Sequence, residues 1–316
     1  MKLIGIDIGG TKCAVVSGDE NCRVFRKTTI ETGGCRETLE KIYAAVVAEG
    51  RADHIGISCG GPLDEKNGVI KSPPNLPGWD DVHICDEIRE LTGTDCTIRN
   101  DADACAIAEW RSGAGKGCGS MVFLTFGTGM GAGLILNGAP YHGKSGNAGE
   151  VGHIRLAKSG PVGYHKAGSF EGFCSGGGIK RQGAAEAEKL FSRGMPGPLY
   201  CPDPSGMPEI SAKSVAQAAR AGDATAKMIF DRVGTRLGEG IAVIIDMLDP
   251  EAVVIGGIYP RCRDLLDKNV AAAVKKEALP FSAKGCRILP SFYGESIGDA
   301  AALSVAAYAA AARRSE

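Results

Sequence analysis

The stretch LIGIDIGGTKCAVV at residues 3–16 and its counterpart VFLTFGTGMGAGLIL at residues 122–136 share one layout: an apolar strand, a polar Gly-Thr turn and a second apolar strand. Apolar side chains run or alternate on both sides of each turn, the pattern of paired β-strands. In DIGGTK (Asp7 to Lys12) the turn offers Gly9, Gly10, Thr11 and Lys12, and in FGTGMGAG (Phe126 to Gly133) it offers Gly127, Thr128 and Gly129. Glycines without a Cβ let a ligand approach the backbone N–H groups, so each turn suits phosphate oxygens. Taken singly, each is equally an ordinary tight turn. Their recurrence at the head of each half of the chain points to duplicated βββ-type units, one per lobe, that together grip the β- and γ-phosphates of a nucleotide. Two other phosphate motifs are excluded. Gly127-x-Gly129-x-x-Ala132 fits a dinucleotide fingerprint, but an apolar strand continues through Ala132 to Leu136 where a helix is required. A P-loop needs Gly-Lys before Ser or Thr, whereas the order here is Gly10-Thr11-Lys12.

Outward from the first hairpin, Lys2 to Ile8, Cys13 to Ser17 and Arg23 to Ile30 read as a meander of strands. Thr38 to Ala48 carries Leu39, Ile42, Tyr43, Val46 and Val47 at helical spacing, and His54 to Cys59 reads as a strand. Residues 60–81 are dense in Gly, Pro, Asn and Asp, a polar loop of a length that compact domains keep for binding. A helix near Val82 to Leu91, a strand Cys96 to Arg99 and a helix from Ala102 to about Arg111 follow. The Gly-rich run 113–119 is the expected domain boundary. In the second half, helices are predicted at Gly176 to Arg193, Ala212 to Ala221, Asp223 to Leu248 and Ile297 to Ala312, with a strand at Ala252 to Ile255 and an exposed loop at 194–208. The expected lobes are residues 1–116 and 117–296, with a final helix (297–316) packing back on the first.

A chain of 316 residues is long enough for two domains without staples. Lys and Arg total 36 against 37 Asp and Glu, so no basic field exists to attract nucleic acid or an anionic membrane, and neither is an expected partner. The opening MKLIGIDIGG is broken by Asp7, unlike a signal peptide, and the apolar stretch Ala300 to Ala312 falls short of the roughly 20 residues that span a bilayer. The expected location is the cytoplasm. The twelve cysteines include no CxxC pair and are scattered from Cys13 to Cys286, which reads as buried small apolar residues in a reduced compartment.

DIGGTK at 7–12, GISCGGPLD at 56–64, NDADA at 100–104, TFGTGMGAGLI at 125–135, GNAGEVGH at 146–153 and VVIGG at 253–257 occur in an order and spacing that resemble the ROK family of sugar kinases and sugar-responsive repressors, within the actin and hexokinase superfamily. The resemblance covers nearly the whole chain. It implies an α/β fold of two ribonuclease H-like lobes with nucleotide and sugar in the cleft between them. Position alone makes Asn100 and Asp101, between a strand and a helix, a helix cap. The resemblance makes Asp101 the base that takes the proton of the sugar hydroxyl, with Asn100 orienting the ring, and the two roles are compatible. It further implies that Asp7 holds Mg²⁺ directly or through water. Gly9, Gly10, Thr11, Lys12, Gly127, Thr128, Gly129 and Gly257 would meet ATP. Gly61, Glu150, His153 and Glu171 would meet the sugar, the last three on its C1 to C3 side.

One departure from the family concerns zinc. Most members follow the His of GEVGH with CxCGxxGC and bind a structural Zn²⁺ through it and three Cys. Here Val162, Tyr164 and Ser169 stand at the thiolate positions and Cys174 lies five residues further on. The expectation is no structural zinc site, the loop being held by Tyr164, Phe170 and Phe173.

The expected activity is that of a glucokinase-like, ATP-dependent hexose kinase transferring a phosphoryl group to the C6 hydroxyl, with glucose as substrate. An N-acetylglucosamine or N-acetylmannosamine kinase is the alternative. A sugar-sensing regulator is a second class, disfavoured because those members carry an extra helix-turn-helix domain whereas the first strand here starts at Lys2. A sugar-binding module without catalysis is a third, disfavoured by the intact Asp101 and hairpins. The resemblance also implies a homodimer.

Overall fold

The computed structural model describes residues 1–314, so residues 315–316 of the expected last helix lie outside it. The chain begins with β1 (Leu3–Ile8), β2 (Lys12–Gly18), β3 (Val24–Glu31), α1 (Cys35–Glu49), β4 (His54–Cys59), β5 (Leu63–Asp64) and β6 (Val69–Ile70). It continues through α2 (Ile84–Thr92), β7 (Cys96–Asn100), α3 (Asp101–Ser112), β8 (Met121–Phe126), β9 (Met130–Leu136) and β10 (Ala139–Pro140). Then come β11 (Val162–Gly163), β12 (Lys166–Ala167), α4 (Phe170–Phe173), α5 (Gly176–Ser192), α6 (Ala212–Arg220) and α7 (Ala224–Leu248). The last elements are β13 (Ala252–Ile255), α8 (Ile258–Arg261), α9 (Arg263–Glu277), α10 (Pro280–Gly285), β14 (Arg287–Pro290) and α11 (Ile297–Arg314).

The repeated hairpin seen in the sequence becomes a repeated sheet. The first sheet has the order β3-β2-β1-β4-β7 and the second β10-β9-β8-β13-β14, so the outer-to-outer sequence of strands is the same in both. In the first, β1 pairs antiparallel with β2 and parallel with β4, and β4 pairs parallel with β7. The central strands are buried on both faces, which is why LIGIDI and HIGISC read as nearly continuous apolar runs.

Each face of the first sheet has its own cover. Ile4, Ile6, Ile55 and Ile57 lie in a core cluster with Leu39, Ile42 and Val46 of α1 and Ile84 and Ile88 of α2. Leu3 and Val16 cluster with Leu303, Ala306 and Ala307 of α11. That second contact is unusually close. A Cβ on Gly56 would run into the backbone of Ala302 and Ala306, and one on Gly5 would sit 2.9 Å from the Ala302 Cβ, so glycines on the strands and alanines on the helix let the two layers approach.

The chain divides into two compact units. The first comprises Met1–Phe123, Gly133–Ala148 and the described chain from Ser291 onward; the second comprises Leu124–Ala132 and Gly149–Pro290. A single break at residue 116 therefore differs from what is found, because residues 117–123 and 133–148 group with the first unit. Gly133 is the physical reason: a Cβ there would strike the Ala102 carbonyl of α3, and His142 is hydrogen-bonded to Asp103 of the same helix.

In the second unit α9 packs along α7, where Gly234 and Gly238 face Asn269 and Ala273, a helix absent from the sequence reading. The expected exposed loop at 194–208 is exposed at most of its positions but pinned at its middle. Tyr200 and Cys201 are buried and the Tyr200 hydroxyl donates to the Gly183 carbonyl, anchoring the segment on α5. All cysteines are free thiols, and all but Cys35 and Cys286 are buried. Among the described residues no helix is long and apolar enough to cross a membrane.

Candidate active site

Asp7 stands opposite Ser58, one pair before the parallel pairing of β1 with β4 ends at Ile8 and Cys59, and behind it Gly298 leaves space that any side chain would take from the Asp7 carboxylate. Burial, then the nearby carboxylates of Asp299 and Asp101, push the Asp7 carboxyl up to about 6, against the opposing pull of Lys27 and a hydrogen bond with Ser58. The cation Lys27 is itself bound to Asp299 at 2.6 Å. Asp7, Asp101 and Asp299 thus place excess negative charge around one lysine, and their oxygens are hard donors of the kind Mg²⁺ takes, without gathering into a close ligand cluster.

After Asp7 the chain turns tightly, with the Gly9 N–H donating to the Lys12 carbonyl at 3.2 Å and the Thr32 hydroxyl donating to the Gly9 carbonyl at 2.6 Å. Gly10 and Thr11 are exposed, and among the described residues no acceptor is recorded for their backbone N–H groups. Gly10 has no room for a side chain, since a Cβ would come within 2.5 Å of the Asn75 carbonyl, and Asn75 also lies against Gly60. The long loop 60–81 thus lies against the first hairpin.

Asn100 is the N-cap of α3, its Oδ1 accepting from the Ala102 N–H at 3.0 Å. That leaves the Asn100 Nδ2 facing Gly61, where a Cβ would be 3.3 Å away. Asp101 is the first helical residue, with Oδ1 also accepting from the Ala102 N–H at 2.8 Å. It is open to solvent, yet the surrounding protein desolvates it enough to raise its carboxyl above the usual carboxylate range, an effect the Ala102 hydrogen bond opposes. Asp7, Gly61, Asn100 and Asp101 therefore converge within the first unit.

In the second unit the FGTG turn closes on itself through a Gly127 N–H to Gly129 carbonyl bond of 3.2 Å. The Gly127 and Thr128 carbonyls accept from the Gly176 and Gly177 N–H groups at the start of α5, fixing the hairpin to that helix. Gly257 has φ of 67° and would strike the Phe126 carbonyl with any side chain, so only glycine fits there. Glu171, on the short helix α4, accepts from the Met130 N–H at 3.3 Å and lies beside Gly129. The GNAGEVGH loop is drawn onto the start of β9, with the Ala132 N–H donating to the Gly149 carbonyl and Gly152 pressed against the Met130 carbonyl and the Glu171 Cβ. Glu150 and His153 flank this point, both exposed. The second unit thus groups Gly127, Thr128, Gly129, Glu171, Glu150 and His153 around one strand end, with Gly257 behind the hairpin.

Around His153 the aromatic prediction needs correction. Phe170 and Phe173 are buried, but Tyr164 is 70% exposed and meets the His153 ring edge-on with centroids 6.1 Å apart. The loop is held by polar contacts in its place: the buried Ser169 hydroxyl donates to the Gly163 carbonyl and accepts from the Gly172 N–H, and Lys166 donates to the His153 carbonyl. Cys174 is fully buried with its thiol donating to the Val233 carbonyl at 3.5 Å, so it is withdrawn from His153.

Sequence reasoning missed a polar group beside Asp101. Glu65, Asp103 and His142 bring ligand-type atoms within 4.8 Å of one another, among the described residues the one such cluster with metal-binding composition. Arg99 donates to Glu65 Oε2 at 3.1 Å, and a guanidinium on a would-be ligand oxygen weighs against a bound dication. A surface groove of about 680 Å³ is lined by Glu65, Lys66, Arg89 and Arg99 among others and contains none of the site residues expected from the sequence.

Comparison with known proteins matches residues 3–310 to the ROK family. The chain is 32% identical over 302 residues to the glucokinase of Thermotoga maritima, covering 93% of this chain and 90% of that one. It is 30% identical over 275 residues to the N-acetylmannosamine kinase of Yersinia pestis, covering 86% and 88%. Among solved structures, the ROK family glucokinase of Streptomyces griseus in complex with glucose and AMPPNP superposes with a TM-score of 0.79 at 28% identity, covering 97% of this chain and 99% of that one. The expected α/β, actin and hexokinase-type fold is borne out by these neighbours, and the chain belongs to the ROK family.

Proposed function

We propose that this chain is an ATP-dependent sugar kinase that transfers the γ-phosphoryl group to the C6 hydroxyl of a hexose, with glucose as the preferred acceptor. The observation that carries the reading is Asp101, a solvent-open carboxylate held by the capped start of α3 beside Asn100 and within electrostatic reach of Asp7. Phosphoryl transfer asks for a carboxylate to accept the acceptor's proton and for fixed donors to balance charge on the phosphates. Asp101 is the base in this reading, and Asn100 Nδ2 with Gly61 holds the ring edge.

The Gly10 and Thr11 N–H groups bind phosphate oxygens of ATP, with Gly9, Lys12, Gly127, Thr128, Gly129 and Gly257 completing the nucleotide contacts. Asp7 would hold Mg²⁺ directly or through water, and the ion when bound supplies charge neutralisation at the phosphates. Glu150, His153 and Glu171 bind ring hydroxyls: carboxylates accept, and an imidazole does either. The glucokinase relatives support glucose, and the N-acetylmannosamine kinase relative supports the alternative acceptor.

Replacing Asp101 by Ala is expected to lower kcat by roughly 10²–10⁴-fold, the span of general base catalysis, while glucose still binds by calorimetry. Retained turnover refutes the base. Steady-state kcat/KM over glucose, N-acetylglucosamine and N-acetylmannosamine is expected to be highest for glucose; a higher value for either amino sugar transfers the assignment to it.

A further inference from the structure

A helix N-terminus is commonly closed by a reciprocal pair, in which the N-cap side chain accepts from the first turn and the third helical residue reaches back to the N-cap N–H. At α3 the first half is present, with Asn100 Oδ1 on the Ala102 N–H. The second half is not made by the helix. Asp103, the third helical residue, turns away and accepts from His142 Nδ1 at 2.6 Å, and the Asn100 N–H donates instead to Glu65 Oε1 at 2.7 Å. Glu65 lies just after β5, 35 residues earlier in the chain. Its other oxygen accepts from Arg99 and stands 4.0 Å from His142 Nδ1. Asp103 is buried, Glu65 largely so, and His142 a quarter exposed, so the group is an interior brace rather than a surface ion pair.

We propose that Glu65 and His142 are positioning residues for phosphoryl transfer: Glu65 fixes the backbone immediately before Asp101 and His142 fixes the helix two residues after it. The inference rests on the reading of Asp101 as the base. The geometry explains why the cap is split. A carboxylate at position 103 that bonded the Asn100 N–H would tie the turn only to its own helix. Glu65 ties it to the β5 loop, which follows the Gly61 segment facing Asn100, and Asp103 ties it through His142 to the chain after β10. Asp101 is thus held from two separate segments of the first unit, and a loss at either leaves the carboxylate free to shift relative to a bound hydroxyl.

The test is a kinetic series on the full chain, with kcat referred to folded protein measured by circular dichroism. Since a displacement of about 1 Å can cost on the order of 100-fold, Glu65→Ala is expected to lower kcat by about tenfold or more with the KM for ATP unchanged. Glu65→Gln keeps an acceptor for the Asn100 N–H and is expected to recover most of that loss. Glu65→Asp withdraws the acceptor while keeping the charge, and is expected to behave like Glu65→Ala even if the latter folds poorly. His142→Ala is expected to lower kcat in the same way. Wild-type kcat in Glu65→Asp or His142→Ala overturns the inference, as does Glu65→Gln falling as far as Glu65→Ala. Asp101→Ala run alongside separates the two levels: an inactive Asp101→Ala with fully active Glu65 variants sinks the brace alone, whereas an active Asp101→Ala sinks the underlying reading and the brace with it.

Discussion

Ser169 stands where the family resemblance implies a zinc-binding thiolate, and it does a different job. Its hydroxyl caps α4 at the Gly172 N–H and reaches the Gly163 carbonyl, so a neutral hydrogen-bonded turn orders the segment next to His153. Purified protein is therefore expected to contain well under one equivalent of zinc, with thermal unfolding unchanged by EDTA; a stoichiometric zinc content would contradict this. Ser169→Ala removes a cap and leaves a buried N–H short of a partner, a loss of about 1 kcal/mol readable as a lower urea midpoint. At this scale the sequence was informative where chemistry is local. Asn100 and Asp101 could be placed on a strand-to-helix junction because the apolar pattern changes period there. Glu65 and His142 could not be found, because what gives them meaning is contact with residues 35 and 39 positions away.

Strand β4 joins two such local facts into an element with measurable properties. His54, fully buried and bonded to Thr97 Oγ1 at 2.9 Å, has its pKa depressed to about 4 by burial and by Arg313, so the folded state holds it neutral. The unfolded chain protonates it near its ordinary value of 6.5. Between those values the unfolded state binds the extra proton, and the stability gained from a neutral His54 is complete above pH 6.5 and lost as pH falls toward 4. The shift corresponds to about 3 kcal/mol. Urea midpoints at pH 7.5 and 5 are expected to differ strongly in the wild type and less in His54→Gln; equal pH dependence would show that another group carries it.

On the same strand, Gly56→Ala forces its methyl into the backbone of α11 and is expected to cost about 1–3 kcal/mol by overpacking, seen in the same assay. The existence and bounds of β4 were legible because its run of apolar residues is flanked by polar turns. The close layer beneath it was not, since a strand glycine signals either a bulge or an approach and only the packing distinguishes them.

For the molecule as a whole, the repeated Gly-Thr hairpins pointed to duplicated βββ-type units, and the structure adds that the two sheets share one strand order built around those hairpins. The division into units was less legible. It follows contacts of Gly133 and His142 with α3, not the glycine-rich run at 113–119 that breaks the pattern along the chain. The homodimer implied by family likeness predicts a solution mass twice the 32.7 kDa of the chain by light scattering, and a monomer at all concentrations would exclude it.

The assembly of the first unit from distant segments also dictates an order of events during synthesis. Strands β1 and β4 are synthesised well before α11, the layer that covers Leu3, Gly5 and Gly56. Until α11 emerges the nascent chain carries an apolar sheet face without that cover, so a chain cut before α11 is expected to go to chaperones and proteases rather than to work in part.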